Sequence, residues 1–263
     1  MTLPEQIEAL IERGFSPDQA ETVVLMREAA IALFRAWPES FLLCGGANLI
    51  LFHNSVRQSS DLDLLLRSDL VPAAQQVAEV LSSGLEPLSE LLNVGRLRIV
   101  ELRSGQNALK VAIVTGDDRT VFTVDLTRIG SVLESGVENH SAEAIAAPGG
   151  AVIKAVARNH LLLQKAEAFV FRPRVKARDA YDVKLLMESG AALDANLKSH
   201  LQDSLTWREI EGEDIQNRIA DVNEDLCRAE LKDFLPERIY EPLAKDGFQS
   251  LRDALRQLFK EWI

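Results

Sequence analysis

Apolar residues recur at helical spacing in two segments at the start of the chain, residues 2–13 and 17–37. Ser16 precedes the second segment and Pro17 opens it. This pair is typical of a helix start, where the serine side chain accepts from free backbone N–H groups and proline fits the first turn. The pattern changes at residue 41, where a short apolar run leads into two glycines. Helices are therefore predicted first, and a buried strand is predicted to follow them.

Further segments alternate apolar and polar residues with the period of two that β-strands show. These segments are residues 61–66, 97–103, 108–114 and 120–127. Short turns rich in Gly, Asn and Asp separate the last three, which favours antiparallel hairpins. A helix is predicted over residues 69–83. Residues 131–150 are mostly small or polar, and the predicted linker is 148–150.

From residue 151 onward the apolar spacing becomes helical almost throughout. The predicted helices are 151–171, 175–189 (closed by Gly190), 193–205, 214–234 and 240–262. The fold class is therefore α+β, with a sheet and its helices followed by a C-terminal helical region. We expect a first domain over residues 1–145 and a helical domain over 146–263.

The strand at residues 61–66 carries Asp61 and Asp63 two positions apart, so both side chains lie on one face. Two carboxylates there can converge on a cation but cannot both be buried unpaired. Hard divalent ions such as Mg²⁺ take oxygen ligands and keep positions open for substrate phosphates. Gly45 and Gly46, at the end of the preceding strand, let the backbone approach a phosphate. The alternative is a strand edge whose aspartates are merely solvated.

A third carboxylate, Asp125, interrupts the β-branched strand at residues 120–127. Phosphoryl transfer with two metal ions commonly uses such a third ligand. The prediction for Asp125 rests on the strand pattern alone, since no short signature surrounds it.

Two groups of residues resemble motifs of the AbiEii/AbiGii-type nucleotidyltransferases, which are similar to the polymerase-β nucleotidyltransferase superfamily. The first is Gly45-Gly46-Ala-Asn-Leu49, then His53, Arg57, Ser59-Ser60 and Asp61-Leu-Asp63. The second is Gln164-Lys165-Ala166, Arg172 and Arg178-Asp179-Ala-Tyr181-Asp182. Two motifs in this order are far more specific than one. The resemblance covers roughly residues 40–190.

The resemblance implies a nucleotidyltransferase-type mixed sheet flanked by helices, and a metal-dependent enzyme. Metal binding falls on Asp61 and Asp63, with Asp125 as third ligand, and Mg²⁺ or Mn²⁺ as the ion. Nucleotide binding falls on Gly45, Gly46, Arg57, Ser60 and Lys165, and the catalytic residues are Asp61, Asp63, Asp125, Lys165 and Asp179. The helical domain is thereby expected to contribute Lys165 and Asp179. Ala47 departs from the pattern, because many relatives carry Thr or Ser there.

The implied reaction is transfer of a nucleoside monophosphate from an NTP to an acceptor hydroxyl, with release of pyrophosphate. The resemblance also implies a tRNA 3′ end as acceptor and a toxin with a cognate antitoxin protein. Two alternatives stay open: a transferase acting on a small molecule or protein side chain, and a non-catalytic scaffold that binds a regulator.

Composition narrows this picture. The net charge of −11 argues against a broad RNA-binding surface, because such surfaces neutralise phosphates with Lys and Arg. The basic run at 172–178 is the exception, and it fits either a triphosphate or RNA end, or a solvated connection in which Arg178 pairs with Asp182. Arg57 likewise fits either a phosphate or base contact or a salt bridge that shapes its loop.

Cys44 and Cys227 lack metal-ligand spacing. We expect a cytoplasmic protein without membrane contact, because neither a signal-like start nor a long apolar run is present.

Overall fold

The computed structural model describes residues 2–67, 71–92, 94–128, 133, 135–145 and 149–263. It divides into two compact units, Met1–Val156 and Ala157–Ile263. Among the described residues, no helix has the length and apolarity needed to cross a membrane.

The first unit is built on a mixed sheet. Within the described residues its strands are β1 (Phe41–Leu43), β2 (Asp61–Leu66), β3 (Arg98–Ser104), β4 (Ala108–Val114), β5 (Thr120–Arg128), β6 (Val137–Glu143) and β7 (Gly150–Val156). They lie in the order β3-β4-β5-β2-β1-β7-β6. The pairs β2/β5 and β1/β7 are parallel, and the other neighbours are antiparallel. The predicted α+β class and mixed sheet are confirmed.

Helices cover one face of this sheet and form the core with it. They are α1 (Leu3–Glu12), α2 (Pro17–Ala36), α3 (Gly45–Phe52) and α4 (Ala74–Leu91). Ser16 caps α2 as predicted, since its side chain accepts from the Gln19 N–H. Helix α2 packs against α4 and β7. The sheet contributes the alternate residues of β2 and β5 to this core, Leu62, Leu64 and Leu66 together with Phe122, Val124 and Leu126.

The helix predicted at 69–83 is found as α4, which starts five residues later and ends eight residues later. Its predicted start, Asp69, lies outside the described residues. The helix continues past Gly84 because that glycine packs directly on α2: a Cβ there would lie 2.6 Å from the Cβ of Ala32. The glycine therefore marks a close helix contact and not a helix end.

Strands β6 and β7 are the main departure from the predicted elements. They form an antiparallel hairpin over Val137–Glu143 and Gly150–Val156, where a linker and the start of a long helix were predicted. The helix prediction was wrong for 151–156 because the apolar residues of this strand run directly into those of the next helix. Since β7 also pairs with β1, the first unit extends to Val156, past the expected boundary at residue 145. Pro148 of the predicted linker lies outside the described residues.

The second unit is helical in all its described elements. These are α5 (Arg158–Phe171), α6 (Ala177–Glu188), α7 (Ala195–Trp207), α8 (Gly212–Asp221), α9 (Glu224–Leu231), α10 (Glu237–Lys245) and α11 (Gln249–Phe259). Gly190 follows α6 with φ +88°. The predicted helices 214–234 and 240–262 are each two helices, because Asn223 caps α9 and Gly247, at φ +61°, separates α10 from α11.

Candidate active site

Three aspartates lie on the sheet face opposite the core of the first unit. In β2, Leu62, Leu64 and Leu66 are buried, whereas Asp61 and Asp63 are half-buried on the other face, as the alternation predicts. The parallel register of β2 and β5 places Asp125 directly beside Asp63 and Thr123 beside Asp61. We call Asp61, Asp63 and Asp125 the sheet-face carboxylates. The structure therefore brings Asp125 together with the other two.

The glycine turn between β1 and α3 lies against one of these carboxylates. Gly45 has φ +63°, and a Cβ there would lie 2.1 Å from Asp63 Oδ2. The Cys44 N–H donates to the Asp63 carbonyl oxygen at 3.0 Å, which joins the end of β1 to β2. Only glycine therefore fits at position 45, for its backbone conformation and for the space left by Asp63. Because α3 begins here, its free N–H groups lie beside the sheet-face carboxylates.

Gly46 lies against the loop that precedes β2. A Cβ there would lie 2.7 Å from a terminal nitrogen of Arg57 and 2.5 Å from Ser59 Oγ. Arg57 is only 4% exposed, and its guanidinium donates to the Gln58 carbonyl oxygen at 2.7 Å. Arg57 therefore supports the loop, and it also places a fixed positive charge at the glycine turn.

Asn48 anchors α3 to the ends of two parallel strands. Its side-chain nitrogen donates to the carbonyl oxygens of Leu43 in β1, at 3.2 Å, and of Val156 in β7, at 2.9 Å. The side chain is fully buried. Sequence reasoning gave Asn48 no role of its own, because its partner Val156 is far away along the chain.

Lys110 connects two of the sheet-face carboxylates. It lies opposite Asp125 in the β4/β5 register. Its Nζ is 3.2 Å from Asp61 Oδ1 and 3.5 Å from Asp125 Oδ2. Burial pulls the pKa of Lys110 down, but Asp61 and Asp125 outweigh this and raise it. Lys110 is therefore fully charged at neutral pH.

Asp61 is held by hydrogen bonds from three side chains. It accepts from the hydroxyl groups of Thr123 and Ser60 as well as from Lys110. Burial raises the pKa of Asp61, but these hydrogen bonds and the Lys110 charge together lower it below its ordinary value. The predicted Ser60 thus lies at the site through its contact with Asp61.

The donor set fits the divalent ion that the resemblance implies. Carboxylate oxygens on a half-exposed face are the ligands that Mg²⁺ and Mn²⁺ prefer. Two of the three carboxylates already converge on one cationic group, the Lys110 ammonium. Across the described ranges, no three His, Cys, Asp or Glu side chains are close enough to form a complete metal site as they stand. At least one carboxylate must therefore turn for three to meet on one ion.

The second unit holds a separate charged group of residues. Lys165 of α5 contacts two aspartates of α6, with its Nζ 2.7 Å from Asp182 Oδ2 and 3.7 Å from Asp179 Oδ1. Arg172 NH1 is 3.2 Å from Asp179 Oδ2. We call Lys165, Arg172, Asp179 and Asp182 the helical ion cluster. Burial raises the pKa of Asp179, although Lys165 and Arg172 pull it down.

Comparison with known protein families supplies the enzyme class. Residues 31–261 match the family model of the nucleotidyl transferase AbiEii toxin, Type IV TA system. The chain belongs to the AbiEii nucleotidyltransferase toxin family. The match spans both units and includes all the residues of the two sequence motifs, so the resemblance identified the family correctly.

Solved structures share the AbiEii-family fold. A candidate nucleotidyltransferase from H. pylori is 18% identical, with 94% of this chain and 97% of that chain covered and a TM-score of 0.60. JHP933 from Helicobacter pylori is 18% identical, with 90% and 91% covered and a TM-score of 0.54. The toxin MenT4 from Mycobacterium tuberculosis, at 14% identity with 86% and 73% covered, has a TM-score of 0.47, too low to support an argument. No curated protein matches the chain.

Two residues of this candidate site, Lys110 and Thr123, were missed by sequence reasoning. Both reach Asp61 only through strand pairing, and Lys110 lies 49 positions away from it. The available signal was the alternation of β4, in which Lys110 occupies the face opposite the buried residues Leu109 and Val111.

Proposed function

We propose that this nucleotidyltransferase uses Mg²⁺ or Mn²⁺, held by Asp61, Asp63 and Asp125, to transfer a nucleoside monophosphate from an NTP. The observation that supports this most directly is the contact between the glycine turn and Asp63, because the backbone N–H groups that we propose to bind phosphate then lie beside a proposed metal ligand. When bound, the ion supplies charge stabilisation at the reacting phosphate.

The acceptor hydroxyl oxygen attacks the α-phosphorus. A new P–O bond forms, the bond between the α-phosphorus and the bridging oxygen breaks, and pyrophosphate leaves. The hydroxyl proton passes to Asp125 or, where Asp125 serves as the third ligand, to water. The N–H groups of Gly45 and Gly46 hold the leaving phosphates, and Arg57 adds positive charge there. Ser60 and Thr123 orient Asp61 through their hydrogen bonds.

For Lys165 and Asp179 the resemblance implies a catalytic role, in which Lys165 offsets triphosphate charge. Both side chains are almost completely buried and paired with each other and with their neighbours. We propose that the helical ion cluster stabilises the packing of α5 on α6. A catalytic contribution of Lys165 and Asp179 is separated from this structural role by measuring both activity and the free energy of unfolding in variants of the cluster.

We take a tRNA 3′ end as the acceptor, in keeping with the resemblance to toxin-type transferases. The family name, a Type IV toxin–antitoxin system, supports a cognate antitoxin as partner, and we place the reaction in the cytoplasm, where NTPs and tRNA are found. The net charge of −11 favours a second candidate, a small molecule or a protein hydroxyl, because an acidic chain repels polynucleotides.

The test incubates the full chain with each of four α-³²P-labelled NTPs, Mg²⁺, and either total tRNA or cell protein. An Asp61→Ala/Asp63→Ala variant is the control. Label on tRNA that the control loses supports the first candidate, and label on protein supports the second. Growth arrest on expression that persists in Asp63→Ala would favour the non-catalytic scaffold instead.

A further inference from the structure

Lys110 shares its contact atoms with the proposed metal ligands. Its ammonium lies 3.2 Å from Asp61 Oδ1 and 3.5 Å from Asp125 Oδ2. These are two of the four carboxylate oxygens through which Asp61 and Asp125 could coordinate a divalent ion. The side chain is 29% exposed and rises from β4 directly opposite Asp125, so it can swing away without unfolding the strand.

A positive group and a divalent ion that share the same two carboxylates at contact distance repel each other strongly in this half-buried place. We propose that Lys110 is a positioning residue that holds Asp61 and Asp125 as an internal counter-ion and must leave both carboxylates when a divalent ion binds. This rests on the proposed function, since it takes the sheet-face carboxylates as metal ligands. Lys110 thereby sets the metal affinity of the enzyme.

The contact of Lys110 with Asp61 and Asp125 also couples the binding of the metal to the binding of the nucleotide. An ion that binds alone displaces Lys110 and leaves its charge without a partner. An ion that binds with an NTP brings phosphate oxygens, which give the displaced ammonium a new anionic partner. The wild-type chain is thus expected to bind the metal–nucleotide complex much better than the metal alone.

Arg103 offers a matched control for the effect of charge alone. It pairs with Lys110 across β3 and β4, and its NH2 lies 3.7 Å from Asp125 Oδ1. Its side chain is 60% exposed and it has no contact with Asp61 among the described ion pairs. Arg103→Met therefore removes one positive charge from the same sheet face without removing the bridge.

The experiment titrates the full-length chain with Mn²⁺ in the absence of nucleotide and measures free Mn²⁺ by electron paramagnetic resonance. We expect Lys110→Met to bind Mn²⁺ about tenfold more tightly than wild type, and Arg103→Met only about twofold, because screened exposed charges act weakly. Lys110→Arg keeps the charge and the reach and is expected to restore wild-type affinity. Adding a non-hydrolysable NTP should strengthen Mn²⁺ binding in wild type far more than in Lys110→Met.

Equal effects of Lys110→Met and Arg103→Met, or weaker binding in Lys110→Met than in wild type, would overturn the proposal while leaving the metal site intact. Asp63→Asn identifies failure of the proposed function separately. If the wild-type chain binds Mn²⁺ and Asp63→Asn binds it equally well, the ion lies elsewhere, and both the metal site and the role of Lys110 are overturned.

Discussion

The sheet-face carboxylates and the helical ion cluster carry the same kinds of charge in opposite surroundings. The side chains of Asp61 and Asp125 are 36% and 20% exposed, whereas those of Asp179 and Asp182 are 1% and 0% exposed. A buried carboxylate must be matched by a permanent partner, and Lys165 and Arg172 provide it. A half-exposed carboxylate can exchange its partner for a ligand. The comparison teaches that the two charged groups differ in accessibility and not in their kinds of charge, and on this difference rests our proposal that one is a reaction site and the other stabilises packing.

The largest expected effect is that of Asp63→Asn on activity. The amide keeps the shape beside Gly45 but removes the charge that a divalent ion needs. We expect activity to fall about a thousandfold, since several kcal/mol of charge stabilisation is lost, and the free energy of unfolding to change by less than about 1 kcal/mol. Label transfer measures the activity, and urea unfolding measures the free energy of unfolding. Retained activity would remove Asp63 from the site.

The helical ion cluster should show the reverse, a loss of stability. Asp182→Asn removes the close partner of Lys165 and is expected to cost about 3 kcal/mol of unfolding free energy, because a buried charge is left behind. Asp179→Asn should cost about 1 kcal/mol, since burial already penalises its charged form and Arg172 is partly solvated. Urea unfolding of the two variants checks that Asp182→Asn lowers the free energy of unfolding more than Asp179→Asn does. If Asp179→Asn instead abolishes activity while leaving stability unchanged, the cluster is catalytic and the comparison fails.

Gly45→Ala tests whether the close approach of the glycine turn to Asp63 requires glycine. Its Cβ would strike the Asp63 carboxylate in a conformation at φ +63°, so we expect a loss of about 2 to 4 kcal/mol in stability together with a large loss of activity. Gly95→Ala is the control in the same unit, because Gly95 has φ +73° and open space around it. It should cost only about 1 kcal/mol and leave activity intact. Equal effects in the two variants would show that Asp63 does not constrain the turn.

The smallest expected effect is a pH dependence that belongs to Asp179. Its pKa is raised in the folded chain above the ordinary value of 3.8, so the folded state holds its proton more tightly than the unfolded state does. The stability contributed by the protonated group is therefore lost as pH rises from about 4 through the folded pKa. Relative to Asp179→Asn, the wild-type chain should lose unfolding free energy over this range. A difference that stays constant with pH would show that Asp179 has an ordinary pKa.

The sequence predicted local patterns well and partners poorly. Alternation identified β2 and β5 and the face that carries Asp61, Asp63 and Asp125, because a pleated strand encodes its faces in its own residues. It could not identify Lys110 or Thr123 as partners of Asp61, since strand order and register are decided by packing across the sheet. The hairpin of β6 and β7 was missed for two reasons. Many residues of β6 are polar, and the apolar residues of β7 run directly into those of the helix that follows. The sequence also could not predict that the helical ion cluster is buried, because a motif specifies residue types and spacing but not what packs around them.

The bond from Asn48 to the Val156 carbonyl links positions 108 apart in the chain. During synthesis, strands β2 to β5 can pair as soon as their residues leave the ribosome, because their contacts are closer in sequence. The helix that starts at the glycine turn receives its last anchor only when β7 has emerged. A nascent chain cut short before Val156 would hold all three aspartates without this anchor. The topology thus completes the anchoring of the face that carries the three aspartates only after the whole first unit has been made.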